Sequence, residues 1–296
     1  MEKLIVIVGP TGVGKTKLSI ELAKKYDGEI INYDSTQVYK ELDIATAKVT
    51  ELEKENIPHH LIDIKELDEI YTVYDFKRDA IKLIDDIKGR GKTPILVGGT
   101  GLYITSLLYD YKLEEEKINE MESDKTNEEL YEMVKKLDSN TLIHKNNRKR
   151  LIRYLSYYKA TGKKLNEKEI SNDMVYDSLI IGLTTDRDIL YDRINKRVDI
   201  MLLNGLEEEA KSIYDKNIRS KAVMTPIGYK ELFEYFDGLI TKEEAIDKIK
   251  QRSRNYAKRQ YTWFRNKMNV KWFDTNFENF DKTVLNVIEY INSNLQ

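Results

Sequence analysis

The chain has 296 residues, of which 41% are hydrophobic and 34% are charged. This length and composition indicate one large folded domain, or a domain with a sizeable insertion, and they exclude a disordered or fibrous chain. The 49 Lys and Arg residues nearly balance the 51 Asp and Glu residues, so any surface that binds nucleic acid has to be local. The absence of cysteine excludes disulfides, thiolate catalysis and cysteine zinc sites, and with three histidines a histidine metal cage is not expected.

Short apolar runs with β-branched residues predict five buried parallel strands. Their ranges are Leu4–Val8, Glu29–Tyr33, Pro94–Val97, Leu179–Leu183 and Val270–Phe273. Helical patterns separate these runs, so the predicted fold class is α/β, with helices on both faces of a parallel sheet. No apolar run approaches the roughly 18 residues of a membrane span. We therefore expect a soluble, cytoplasmic protein.

The first strand leads into a predicted phosphate-binding loop. Residues 9–16 fit G-x-x-x-x-G-K-[ST] and lie between an apolar strand and a helix, which is the context that the motif requires. In such a loop backbone N–H groups converge on phosphate oxygens, Lys15 would neutralise the terminal phosphate, and Thr16 would offer its hydroxyl to Mg²⁺. The alternative is an ordinary glycine-rich turn. The motif favours a P-loop NTPase-like core, but it does not identify the molecule whose phosphate groups are bound. The predicted phosphate-binding residues are Gly9, Pro10, Thr11, Gly12, Val13, Gly14, Lys15 and Thr16.

The next two long strands end in polar residues that should meet at the same edge of the sheet. Asp34 follows the second strand, where a carboxylate could hold a metal-bound water or accept a proton, or could cap a helix instead. Gly98–Gly99 follow the third strand and permit close approach of a ligand, while Thr100 brings a hydroxyl to this edge or caps the following helix. Between these strands, His59–His60 are interpreted as part of a packed loop.

The alternation of strands and helices fails between about residues 112 and 175. The stretch opens with Glu114–Glu116 and continues with Leu130, Val134 and Leu137 at helical spacing, so residues 114–175 are predicted to be a helical insertion in a core of residues 1–113 and 176–296. From His144 to Lys164 it carries eight Lys or Arg and no acid. The insertion is therefore acidic first and basic afterwards.

Arginines follow the fourth strand on a predicted helix. Arg187 lies at its start, and Arg193 and Arg197 are four residues apart on one face. In phosphate-transferring P-loop proteins such a helix often closes over the phosphates, whereas pairing with neighbouring acids is the competing interpretation. We expect one of the three to reach the ligand, and the sequence does not single it out.

A long helix is predicted near the C-terminus. Thr241 and Glu244 form a capping-box pattern, and the periodicity runs to about Met268. Residues 251–267 carry six cations and no acid, which favours an anion-facing surface over cations that merely border a buried face. The residues on the predicted buried face are Ile246, Ile249, Ser253, Ala257, Gln260 and Phe264.

Nine motifs occur in one order along most of the chain. They are Gly9–Thr16, Asp34–Tyr39, Asp43–Lys48, His59–Asp63, Gly98–Tyr103, Arg150–Gly162, Arg193–Met201, Ile227–Glu231 and Tyr256–Trp263. In this order the series resembles the tRNA dimethylallyltransferase family, also called tRNA isopentenyltransferases. The resemblance runs from the first strand to about residue 274. It departs from the family at Ala45, where the usual residue is glycine, and in the insertion, which is short and acidic at its start.

The resemblance implies transfer of a dimethylallyl group from its diphosphate to N6 of the adenosine that follows the tRNA anticodon on the 3′ side. The phosphate loop would then hold the diphosphate with Mg²⁺, rather than ATP. It implies that Asp34 handles the N6 proton, that Thr100 lines the channel, and that Arg197 meets the diphosphate. The tRNA contacts that it implies are Asp34, Ser35, Thr36, Gln37, Arg150, Arg153, Lys258 and Arg259.

Two other functions remain open from the residues. A small-molecule kinase would use the same loop for ATP, but it offers no reason for the two basic tracts. A non-catalytic RNA-binding NTPase module would keep its activity without Asp34. The partners expected from the resemblance are tRNA, through its anticodon stem-loop, and dimethylallyl diphosphate, with no membrane, and the chain is expected to act as a monomer.

Overall fold

A parallel β-sheet forms the centre of the chain in the computed structural model, which describes residues 3–109, 124–165 and 174–294. The strands are β1 (Leu4–Val8), β2 (Gly28–Asn32), β3 (His59–His60), β4 (Thr93–Val97), β5 (Ser178–Thr184) and β6 (Lys271–Asp274). Their order across the sheet is β3-β2-β4-β1-β5-β6, and every neighbouring pair is parallel. All five residues of β1 are fully buried, as expected for a central strand with covered faces.

The described residues also form helices, and those outside residues 111–172 flank this sheet. In chain order they are α1 (Lys15–Lys25), α2 (Glu51–Lys54), α3 (Val73–Gly89), α4 (Gly101–Leu108), α5 (Asn127–Leu137), α6 (Arg148–Thr161), α7 (Arg187–Leu203), α8 (Leu206–Asp215), α9 (Lys221–Met224), α10 (Tyr229–Phe236), α11 (Lys242–Lys267) and α12 (Phe280–Ser293). The predicted α/β class is confirmed, and the five predicted strands are found within one or two residues of their predicted ends. In the described ranges, none of these helices has the length and apolarity needed to cross a bilayer.

The interpretation of His59–His60 as a packed loop is wrong. These two residues form β3, which pairs with Ile30 and Ile31 at the edge of the sheet. The Nε2 atom of His60 lies 2.7 Å from the carboxylate of Glu29, which also pairs with both terminal nitrogens of Arg90. Hydrogen bonding from Arg90 is the main reason why the pKa of Glu29 falls to about 2, although burial opposes the shift. A strand of two polar residues has no apolar run by which the sequence could reveal it.

The chain divides into two compact units, one of residues Met1–Asp110 with Asp173–Gln296 and one of residues Tyr111–Asn172. The predicted insertion covers residues 114–175, and its acidic opening at Glu114–Glu116 lies outside the described residues. Within the smaller unit, helices α5 and α6 pack together through a cluster that includes Leu130, Val134 and Tyr154. No strand occurs in its described part, residues 124–165.

The predicted C-terminal helix is confirmed as α11. The Thr241 side chain accepts a hydrogen bond from Glu244 N, and the Glu244 carboxylate accepts one from Thr241 N, which is the predicted capping box. Of the predicted buried face, Ile246 and Ser253 are only half-buried. The buried members include Ala257 and also Gln260, a polar residue that makes hydrogen bonds at the candidate site.

Candidate active site

The phosphate-binding loop connects β1 to α1 with a backbone that only glycine adopts easily. Gly9, Gly12 and Gly14 have φ values of +139°, +88° and +94°. Space is also lacking, because a Cβ on Gly9 would lie 2.6 Å from the Leu183 carbonyl oxygen and one on Gly14 would lie 2.6 Å from the Phe280 ring. The predicted motif therefore has the close packing and left-handed backbone that its glycines indicate.

The Lys15 ammonium is held at the loop itself. Its Nζ donates to the carbonyl oxygen of Pro10 at 2.8 Å. Burial, aided by the nearby charge of Arg197, lowers the pKa of Lys15 to about 7, while Asp34 opposes the shift. These three charged groups thus belong to one electrostatic site, and an anion that bound there would restore the protonated form of Lys15.

Two arginines of α7 reach the loop. Arg197 Nη1 donates to Thr11 Oγ1 at 2.9 Å, and Arg193 Nε donates to Gly12 O at 3.0 Å. Burial lowers the pKa of both guanidinium groups. Arg187 is exposed and instead stacks on a tyrosine of its own helix, 5.0 Å from the ring centroid. The geometry therefore separates three arginines that the sequence could not rank.

Asp34 lies two residues beyond the end of β2 and does not cap a helix. Its Oδ1 accepts hydrogen bonds from both the backbone N (3.0 Å) and the hydroxyl (2.7 Å) of Thr36, so it closes a local turn. The other oxygen, Oδ2, lies 3.0 Å from the point that a Cβ on Gly99 would occupy. This oxygen therefore points towards the Gly98–Gly99 turn, and the carboxylate is held by one oxygen with the other directed at that turn.

The Thr100 hydroxyl links the ends of two strands. Thr100 occupies the N-cap position of α4, but its side chain makes no capping hydrogen bond. It accepts from Ser35 N at 2.9 Å and donates to Ser35 Oγ at 3.1 Å. The predicted alternative of a helix cap is wrong for this side chain, which is joined to the segment that begins with Asp34.

The segment after Asp34 is anchored to a second loop. The Gln37 amide donates to the carbonyl oxygens of Thr46 (3.0 Å) and Ala47 (3.2 Å). Glu209 of α8 holds the start of that loop, since its carboxylate accepts from three successive backbone N–H groups, those of residues 43–45, at 2.8 to 3.1 Å. Ala45 does not have a positive φ, so alanine in place of the usual glycine imposes no left-handed strain.

Gln260 is a site residue that the sequence analysis placed on a buried helix face and within the motif Tyr256–Trp263, without giving it a role at the site. Its Oε1 accepts from Thr11 N at 2.9 Å, and its Nε2 donates to Gly99 O at 3.0 Å. The hydroxyl of Tyr256, one turn earlier, also donates to Gly99 O at 3.3 Å. The signal for this role was present: an amide on an otherwise apolar helix face needs partners when it is buried.

A groove along the exposed face of α11 carries positive charge. Lys258, Arg259 and Lys267 line it with the indole of Trp263 and several polar residues. The Trp263 Nε1 atom is buried and has no acceptor among the residues that the structure describes. Lys258 and Arg259, both predicted to contact tRNA, are exposed here and available to an anion.

Other cations of α11 are used within the chain. Arg252 pairs with the buried carboxylate of Glu231, and Arg254 donates to Asn195 Oδ1 at 2.6 Å. The prediction that the whole cationic stretch faces an anion is therefore wrong for these two residues. Their partners lie on α10 and α7, and helical spacing within α11 could not reveal them.

Arg150 and Arg153 lie on α6 in the smaller unit. Both are exposed, and the backbone N–H of Arg150 donates the capping hydrogen bond of α6 to Asn147 Oδ1 at 3.3 Å. An exposed pair one turn apart is suited to contacts with phosphate groups. Their predicted role in tRNA binding stays a prediction.

Thr16 is the loop residue suited to a divalent cation. It is exposed at the start of α1, directly after Lys15. Among the described residues no group of three or more His, Asp or Glu could hold a metal. Mg²⁺ does not need such a group, because it is commonly bound by one or two protein oxygens together with phosphate oxygens and water. The donor set therefore fits Mg²⁺ that arrives with a diphosphate.

Known proteins match this chain over most or nearly all of its length. A family model described as IPP transferase matches residues 37–267. A tRNA dimethylallyltransferase from Anoxybacillus flavithermus is 51% identical, over 98% of this chain and 96% of its own length. The structure of the full-length tRNA isopentenylpyrophosphate transferase from Bacillus halodurans aligns with a TM-score of 0.78 at 46% identity, covering 99% of this chain and 96% of that one.

A more distant structure has the same fold. A eukaryotic dimethylallyltransferase that acts on tRNA aligns with a TM-score of 0.82 at 32% identity, covering 99% of this chain and 79% of its own. The family resemblance inferred from the order of the motifs is confirmed. The family model matches most of the chain, and relatives match it nearly from end to end. The chain therefore belongs to the IPP transferase family, which includes the tRNA dimethylallyltransferases.

Proposed function

We propose that the chain transfers a dimethylallyl group from dimethylallyl diphosphate to N6 of the adenosine next to the anticodon, on its 3′ side, in tRNA. Transfer of a prenyl group to tRNA is the activity named for its relatives. The observation that carries the proposal is the Asp34 carboxylate, fixed through Oδ1 by Thr36 beside a phosphate loop that contains Lys15. Lys15 in the loop suits the leaving diphosphate, and the Asp34 carboxylate suits the attacking amine.

The loop side of the site suits the departing diphosphate. As the bond between the allylic carbon and oxygen breaks, the diphosphate takes the electron pair and its negative charge grows. Lys15, Arg193 and Arg197 converge at this loop, and the N-terminus of α1 adds its positive end. Fixed positive groups at the point where negative charge develops usually make the largest single contribution to catalysis.

The carboxylate side suits the nucleophile. N6 of adenosine is a weak nucleophile, so its reaction depends on positioning and on removal of its proton as the carbon–nitrogen bond forms. Asp34 Oδ2 would accept that proton, while Oδ1 stays bonded to Thr36. Ser35, Thr36 and Thr100 lie around the carboxylate and would orient the base. Extrusion of the base from the loop costs a few kcal/mol, which the contacts with the RNA would offset.

Mg²⁺ would be held by Thr16 together with the diphosphate, and when bound it would neutralise part of the charge on the leaving group. The exposed cations Lys258 and Arg259 on α11, and Arg150 and Arg153 on α6, would bind the phosphates of the anticodon stem and loop. The reaction involves residues of a single chain, and we propose that it proceeds in a monomer in the cytoplasm.

The kinase alternative is not favoured. The family to which the chain belongs acts on tRNA, and the basic surface of α11 has no use in a small-molecule kinase. The two functions differ in their need for ATP, so the test omits it. Purified chain is incubated with dimethylallyl diphosphate, Mg²⁺ and unmodified tRNA, and the digested tRNA is analysed by mass spectrometry. We expect prenylated adenosine; unmodified tRNA together with steady ATP hydrolysis in a parallel assay would refute the proposal.

The role of Asp34 is tested with Asp34→Asn, which keeps an oxygen for the turn with Thr36 and removes the base. We expect kcat to fall by about 10²- to 10⁴-fold, the usual contribution of a general base. Affinity for dimethylallyl diphosphate, measured by titration calorimetry, should change little. The matched control is Asp247→Asn, an exposed aspartate on α11. An equal loss of kcat and of diphosphate affinity would contradict proton transfer to Asp34.

A further inference from the structure

Gln260 connects two parts of the site that are far apart in the chain. Its side chain is buried, at 5% relative exposure, and it comes from the inner face of α11. The carbonyl oxygen accepts from Thr11 N in the phosphate loop at 2.9 Å, and the amide nitrogen donates to Gly99 O at 3.0 Å. One side chain therefore bonds the loop after β1 and the turn after β4 at the same time.

The two bonded groups border the two halves of the proposed reaction. On the loop side, the Thr11 hydroxyl accepts the hydrogen bond from Arg197. On the turn side, the position of a Cβ on Gly99 lies 2.5 Å from Gln260 Nε2 and 3.0 Å from Asp34 Oδ2. The glycine thus lets the amide and the carboxylate approach the same point, and Gln260 spans the distance between the diphosphate side and the carboxylate side.

The chemistry of glutamine matches this place. The loop presents a backbone N–H, which needs an acceptor, and the turn presents a carbonyl oxygen, which needs a donor. At neutral pH a glutamine amide offers both from one planar group, whereas an ionised glutamate offers acceptors alone and methionine offers no donor. The Thr11 N–H is also committed to Gln260, so the other loop amides are the ones left to hold a diphosphate.

We propose that Gln260 is a positioning residue that sets the separation between the phosphate loop and Asp34. Through it, the allylic carbon of the bound diphosphate and the amine of the base are brought to reacting distance. The inference rests on the proposed function and adds to it a residue that touches neither substrate. A displacement of about 1 Å in such an arrangement can lower a rate by about 10²-fold.

The test compares Gln260→Met and Gln260→Glu with the wild type in single-turnover assays, with saturating tRNA and dimethylallyl diphosphate. We expect Gln260→Met to lower the rate of transfer by about 10- to 100-fold, while KM for dimethylallyl diphosphate stays within about threefold. Gln260→Glu should behave similarly at pH 8. Its rate relative to the wild type should then rise as the pH falls, because a protonated glutamate again donates to Gly99 O while accepting from Thr11 N.

A purely structural role would not produce this pH dependence. Asp247→Asn on the exposed face of the same helix is the control and should match the wild type. A glutamate has an ordinary pKa of about 4.3, which burial raises, so the ratio is followed from pH 8 down to pH 5. A Gln260→Met rate within twofold of the wild type, or a flat ratio for Gln260→Glu over this range, would overturn the inference. If Gln260→Met does not fold, the ratio for Gln260→Glu decides alone. A wild-type chain that does not prenylate tRNA would instead refute the proposed function, so the two failures are distinguishable.

Discussion

Replacement of Lys15 by methionine should make the free protein more stable while abolishing its use of the diphosphate. The pKa of Lys15 is lowered from 10.5 to about 7, chiefly by burial, so the folded state disfavours the protonated form that the unfolded chain prefers. Methionine has a similar length and no charge. The substitution Lys15→Met therefore removes a destabilising group that is retained for binding an anion.

The pKa shift sets the size of the effect. At 1.36 kcal/mol per pKa unit, its upper limit is about 5 kcal/mol at pH 6, where Lys15 is protonated in both states. Lys15 keeps some exposure to solvent, and the variant loses the hydrogen bond to Pro10 O, so we expect a gain of about 2 to 3 kcal/mol. Below pH 7 the folded wild type carries the full destabilisation by protonated Lys15; this destabilisation decreases between pH 7 and 10.5 and is absent above pH 10.5. The stability gained by Lys15→Met should therefore be smaller at pH 9 than at pH 6, by at least about 1 kcal/mol.

Urea denaturation at pH 6 and pH 9, without diphosphate, measures this difference in the free energy of unfolding. Lys25→Met, at an exposed position near the end of the same helix, is the matched control and should change stability by a few tenths of a kcal/mol. Titration with diphosphate should show that Lys15→Met no longer binds it measurably. A variant that is less stable than the wild type at pH 6, or a gain that does not depend on pH, would refute the desolvation of Lys15.

Charge reversal of Arg150 and Arg153 to glutamate should weaken tRNA binding and make its dependence on salt less steep by about one counterion per lost contact; an unchanged salt slope in filter-binding assays would remove α6 from the RNA surface. Separately, Glu29→Gln should lower the free energy of unfolding by about 2 kcal/mol at pH 7, because the pKa of Glu29 falls to about 2 beside Arg90, a partly exposed and thus screened partner. That stability is present above about pH 4.5 and is lost as the pH falls towards 2, so the free energies of unfolding of the two proteins should converge in acid. A difference in the free energy of unfolding below about 0.5 kcal/mol at pH 7 would contradict this stabilising role of the Glu29–Arg90 pair.

Local patterns in the sequence were sufficient for the elements that first define the site. The apolar run of β1, the glycine spacing of the loop after it and the capping box at Thr241 each depend on residues within a few positions of one another, and all are found where they were predicted. The order of the family motifs likewise identified the family. These patterns predict the structure correctly because helix periodicity, strand burial and capping depend on residues that are near neighbours in the chain.

The contacts that complete the site were decided only in the folded chain. The Thr100 hydroxyl meets Ser35, 65 residues away, instead of capping its own helix, and Arg197 rather than Arg187 reaches the loop. Gln260 bonds residues 249 and 161 positions away. The sequence alone does not reveal which groups the Gln260 amide bonds, because those groups lie in distant parts of the chain. The parallel sheet brings the ends of β1, β2 and β4 to one edge. Packing of α7 and α11 there supplies Arg197 and Gln260 as partners, which no local pattern in the sequence could place.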